Sequence, residues 1–161
     1  MQTTFEQRAN SHRVAYLLGA ISNPIVVSWA DREIEDTVNP PLPLIDLAMG
    51  RELPSANISS LLTELASDQT NDVSSTQYGM SLLAEKARNH EKDFRQMILD
   101  CHAHLVASRL LYDDAFLDFV SLEDGVSLIR DGIFGHDYIP ELRDDFLQQL
   151  EKMREQSKFA G

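Results

Sequence analysis

Asp100, Cys101, His102 and His104 form the densest run of metal-ligating side chains in the sequence, placing carboxylate, thiolate and imidazole within five residues. Zinc and iron accept all three ligand types, so this run is the first place to look for a metal. On a helix Asp100 and His104 share a face, as do Cys101 and His104, but His102 and His104 point about 200° apart and cannot chelate together. The His-Glu-x-x-His spacing of helical zinc sites is absent. Cys101 is the only cysteine, which excludes an intramolecular disulfide and any site taking two thiolates from one chain. On an apolar seam it reads as a small core residue.

His136-Asp137 resembles the His-Asp dyad of the all-helical metal-dependent phosphohydrolases. That resemblance implies a hydrolase whose ligands would be His104, His136, Asp137 and Asp144. The dyad falls between Gly135 and Pro140, where Asp137 has a simpler use as a helix cap. Asp113-Asp114 with Asp118 is similar to the aspartate-rich element of helical isoprenoid synthases, but no second such element accompanies it. Gly132-Ile133-Phe134-Gly135 lacks the lysine and hydroxyl of a phosphate loop, and no Gly-x-Ser-x-Gly nucleophile motif occurs. No cofactor is expected.

Charge points to a different kind of function. The 161 residues carry 26 Asp and Glu against 14 Lys and Arg, a formal charge of -12. Nine basic and 14 acidic residues lie up to Tyr112, and five and 12 follow from Asp113, so the acidity concentrates toward the C-terminus. Such a surface repels a phosphate backbone, and no basic stretch with interleaved aromatics offsets it, which argues against nucleic acid. The same field attracts a basic protein. Glu141, Asp144 and Asp145 are the candidate contact residues. Trp29, the single tryptophan, is either a core anchor or an exposed contact in such an interface. His12 and His90, beside apolar stripes, read as packed core-edge histidines.

The elements that must position these residues are helical. Thr3 or Thr4 caps a first helix reaching about Ala20, with Val14, Leu17, Leu18 and Ile21 at helical spacing. Asn23-Pro24 supplies a cap and a first-turn proline for a second, whose stripe is Val26, Trp29, Ala30 and Ile34. Pro40-Pro41 forms a corner before a short helix through Leu47 that Gly50 ends. Ile58, Leu61, Leu62, Leu65 and Ala66 give the clearest amphipathic pattern, with Asn57 as its cap. The polar run 67–76 is expected to be an exposed loop, and a long central helix to start near Gln77 and run past Leu105. Ser121 with Asp124 suits the start of a further helix to Arg130, and Pro140 opens a last one with Leu142, Phe146, Leu147, Leu150 and Met153 inward.

Trp29-Ala30-Asp31 with Ile34, followed by Pro40-Pro41-Leu42-Pro43-Leu44-Ile45-Asp46-Leu47-Ala48, resembles a pattern recurring in small uncharacterised bacterial helical proteins, some encoded beside toxins. The resemblance implies an immunity or inhibitor type of role. The fold class predicted is all-α, an irregular bundle of about six or seven helices around one long central helix, in a single domain spanning 1–161. The N-terminus has no basic, apolar leader, and no apolar run approaches the roughly 18 residues of a membrane span, so a cytoplasmic protein is expected. Its expected function is non-catalytic binding of a basic partner. A metal-dependent hydrolase and an oligomeric structural protein built on the long helix are the alternatives.

Overall fold

The computed structural model describes residues 2–89, 93–157 and 159. Among these residues the fold is all-α, with nine helices and no strand: α1 (Phe5–Leu17), α2 (Asn23–Glu35), α3 (Leu42–Ala48), α4 (Ser55–Ala66), α5 (Val73–Ser81), α6 (Leu83–Arg88), α7 (Phe94–Ala107), α8 (Asp118–Arg130) and α9 (Ile139–Gln156). Three short 3-10 turns, Ser67–Gln69, Asp114–Phe116 and His136–Tyr138, connect them. The start of α1 follows from its sequence. Thr4 accepts the Gln7 backbone N–H through its hydroxyl while the Gln7 side chain accepts from the Thr4 backbone, so two orphan donors are satisfied reciprocally.

Two apolar clusters make the interior. One collects Val26, Trp29, Ala30, Leu44, Leu47, Ile58 and Leu62 from α2, α3 and α4. The other is built by α5 to α9, where Phe116, Phe119 and Phe146 are fully buried and the last two meet edge to face at 6.2 Å. Burying each such ring stabilises the fold by roughly 2–3 kcal/mol. α1 lies between them, giving Ala9 to the first cluster and Val14 and Leu18 to the second. A helix covered on two sides has no single apolar stripe. Its buried positions are accordingly small or hydrogen-bonded, namely Ala9, Asn10, Ser11 and Ala15 beside Val14, while Leu17 is exposed. Gly79 on α5 permits a close approach to α1, because a Cβ there would stand 2.6 Å from the Ser11 carbonyl oxygen and 2.8 Å from the Val14 Cβ.

Several expectations are corrected. The stretch expected to form one long helix is divided into α5, α6 and α7. The helix breaks at Leu82, after the Ser81 hydroxyl has donated to the Tyr78 carbonyl at 2.6 Å, and α7 starts afresh where Asp93, in extended conformation, caps the Arg95 N–H. An oligomer built on a continuous helix loses its basis. The run 67–76 is an exposed connection only in its first part, where Ser67, Asp68 and Asn71 face solvent, and α5 begins at Val73. The Asp72 carboxylate caps α5 by accepting the Ser75 N–H at 2.9 Å, and Ser75 and Thr76 are fully buried. Polarity misled because the facing helix is polar too: Asn10 Nδ2 donates to Ser75 Oγ at 2.8 Å and Gln7 Nε2 to Asp72 Oδ1 at 3.4 Å.

Asn23 does not cap α2, since Ser22 occupies that position. Its side chain instead accepts from the Tyr16 hydroxyl and donates to the Arg51 and Leu53 carbonyls, tying α1 to the α3–α4 connection. Likewise Asn57 lies inside α4 and Ser121 inside α8. The sequence reading of His90 lies outside the described residues.

Among the described residues two non-glycine positions hold positive φ, Ser67 at 55° and Arg109 at 60°. The end of α7 repeats the end of α1. Gly19 and Arg109 donate to Tyr16 and Val106, and the next residues, Ala20 and Leu110, donate to Ala15 and Leu105. Gly19 is the residue that turn favours, whereas Arg109 holds it at a cost of about 1 kcal/mol.

Candidate functional site

Glu141, Asp144 and Asp145 recur at i, i+3 and i+4 on α9, so one face carries all three, and all are exposed. The opposite face buries Leu142, Phe146, Leu150 and Met153, which fixes the rotation of the helix and turns the carboxylates to solvent. None of the three is ion-paired among the described residues, while Asp118, which lines the α8–α9 groove with Asp145, is met by Lys152 at 3.6 Å. The loop leading into α9 exposes Ile133 and Phe134, and Phe134 leans on Tyr138 at 4.7 Å. Arg143, between the acidic residues, turns away and donates through Nη2 to the Ala87 and Arg88 carbonyls, closing the C-terminal end of α6.

Trp29 is 3% exposed and cannot meet a partner, which removes it from the candidate interface and leaves it as the core anchor. His12 stacks on it at 4.5 Å and Phe5 at 6.0 Å. Trp29 Nε1 donates to Glu33 Oε1 at 3.1 Å, and the same carboxylate receives Arg8 Nε at 2.6 Å and Nη2 at 2.9 Å. The hydrogen-bonded Glu33 raises the Arg8 pKa above its ordinary value. Burial holds the His12 pKa down. Phe5, Arg8 and Glu33 line a cavity of about 580 Å³ between α1, the end of α2, the proline corner and the Leu65–Ser67 bend, where Glu6, Asp36 and Glu64 add further negative charge.

The four metal-ligand candidates are not brought together. His104 faces Arg13 near the C-terminal end of α7, while His136 and Asp137 sit exposed in the turn before α9 and Asp144 on its outer face. Among the described residues no three His, Cys, Asp or Glu side chains are grouped to hold a metal ion. The hydrolase built on His104, His136, Asp137 and Asp144 is therefore withdrawn. Cys101 is fully buried in the second apolar cluster.

His104 occupies a different kind of place. It lines a cleft of about 390 Å³ with Arg13 and Leu17 of α1, Asp68, Thr70 and Asn71 of the connection between α4 and α5, and Ser108 and Arg109. Burial first, and then the Arg13 charge, push its pKa down to about 4. The unfolded chain, with an ordinary histidine at 6.5, takes up this proton first as the pH falls. The contribution of His104 to stability is thus fully present above about pH 6.5 and is lost through the window from 6.5 to about 4, by up to about 3 kcal/mol. Comparing urea midpoints of the wild type and His104→Gln across that window should show the shallower loss in the variant. Parallel losses would mean that His104 carries none of the acid sensitivity.

Sequence reasoning missed both clusters around α1. Arg8 and Glu33 are 25 residues apart, and Arg13, Thr70 and His104 come from three separate segments, so no local spacing signals either. Comparisons with protein-family models, with curated proteins and with solved structures find no match for this chain.

Proposed function

We propose that this protein is a non-catalytic interaction module that binds a basic partner protein through the acidic outer face of α9. The observation carrying this reading is the alignment of Glu141, Asp144 and Asp145 on one exposed face, uncompensated by any ion pair among the described residues. Ile133 and Phe134, in the loop that leads into the same helix, supply apolar surface that docking can bury after electrostatic capture. Occlusion of a toxin's or nuclease's active site, as an immunity protein achieves it, is the role this arrangement suits. No helix of the described residues is long and apolar enough to cross a membrane.

Glu141→Gln/Asp144→Asn/Asp145→Asn keeps side-chain shape and removes three charges. With a partner recovered by pull-down from the source cell extract and then purified, the triple variant should associate about 10-fold more slowly at low salt, with little change in dissociation rate. Wild type and variant should converge at high salt, as charges become screened. Equal association rates at low salt would refute the assignment of this face.

A further inference from the structure

We propose that the cleft between α1, the connection from α4 to α5, and the C-terminal end of α7 is a binding site for a small oxyanion, the phosphate or carboxylate group of a small molecule. Arg13 and Arg109 line it together with the hydroxyl-bearing Thr70 and Ser108, Asn71 and His104. Its volume of about 390 Å³ admits a compact ligand.

Arg13 is the central observation. Its guanidinium is half-buried and held from both sides by neutral groups, with Nε donating to Thr63 Oγ1 at 3.2 Å and Nη1 to Asn10 Oδ1 at 3.1 Å. No carboxylate pairs with it among the described residues, although acidic side chains outnumber basic ones 26 to 14 along the chain. Burial lowers its pKa, which is the mark of a charge that lacks a counter-ion. An oxyanion would supply that counter-ion in the fork geometry that guanidinium favours.

Arg109 carries an independent observation. It stands at the left-handed position ending α7, where glycine serves the same turn at the end of α1. A residue kept in strain beside a cleft points to a role for its side chain. The terminal carbonyls of His104, Leu105 and Val106 are taken up by Ser108, Leu110 and Arg109, and the negative end of the α7 dipole that remains is offset by the two arginine charges. Asp68 is the one carboxylate on the lining, and one of its oxygens is engaged by Gln69 Nε2 at 3.0 Å.

The test is an amide and imidazole NMR titration of the full chain with inorganic phosphate and, separately, with acetate, against sodium chloride at matched ionic strength. Saturable shifts confined to the residues around Arg13, Thr70, His104 and Arg109 are expected, and Arg13→Gln should weaken binding at least 10-fold. Arg109→Gly, which suits the backbone, should weaken binding while the fold stays intact, and this separates loss of a ligand contact from loss of structure. A response to phosphate alone assigns a phosphate site, and to acetate alone a carboxylate site. Shifts scattered over all basic residues, shifts reproduced by chloride, no response to either anion, or unchanged affinity in both variants would overturn the proposal. The α9 carboxylates take no part, so this result is independent of the partner-binding reading.

Discussion

Gly79→Ala is expected to destabilise the protein by about 2–3 kcal/mol, read as a lowered urea midpoint or melting temperature. The added methyl would meet the Ser11 carbonyl oxygen at 2.6 Å and the Val14 Cβ at 2.8 Å, and neither belongs to the free end of a flexible side chain. Relief requires α1 and α5 to separate. Separation loosens both apolar clusters, because α1 belongs to each, and stretches the buried Asn10–Ser75 hydrogen bond. The cost outweighs the roughly 1 kcal/mol that alanine gains over glycine inside a helix. Gly125→Ala is the control. Its nearest obstacle is the Leu142 Cδ1 at 2.9 Å, a methyl at the end of a side chain that can turn aside, so the same substitution there should be close to neutral. Equal stability of the two variants would show that the α1–α5 contact is looser than described.

The second large effect concerns the Arg8–Glu33 pair. Glu33 is 8% exposed and receives three donors, two from Arg8 and one from Trp29. Arg8→Ala leaves that carboxylate with the indole alone and should cost about 2–3 kcal/mol. This is below the usual 3–5 for breaking a fully buried pair, since the Arg8 side chain is 35% exposed and water reaches the site. Glu33→Ala should cost about 2 kcal/mol, chiefly by stranding the buried Trp29 N–H. The double variant should fall short of the summed single losses by about 1–2 kcal/mol, because each single change strands what the other removes. Strict additivity in urea unfolding would mean that the two residues act separately, and the cavity they line would lose a rigid wall.

The local signals that proved legible were those whose physics is local. Thr4 and Gln7 specify a cap from four consecutive residues, and Pro24 and Pro140 stand in the first turns of α2 and α9. Leu142, Phe146, Leu150 and Met153 announce a buried face, which in turn places Glu141, Asp144 and Asp145 outside. Periodicity failed where neighbours on several sides shared the burial. α1 buries Asn10 and Ser11 as completely as Ala9, and the partner it presents to α5 is itself polar, so a run of serine, threonine and asparagine read as a loop became the start of a packed helix.

By itself the sequence determined the all-helical class and the acidic outer face of the last helix, since each follows from spacing along one segment. It determined also that Trp29 has an apolar stripe to join, but not which of its two roles prevails. Only the tertiary structure decided that, by closing α1 over the indole and giving its N–H to Glu33. Only the tertiary structure, too, placed Arg13, Thr70, His104 and Arg109 around one cleft and kept His104 apart from His136. The physical reason is the same in each case: burial and charge pairing depend on what segments far apart in the chain bring to one place.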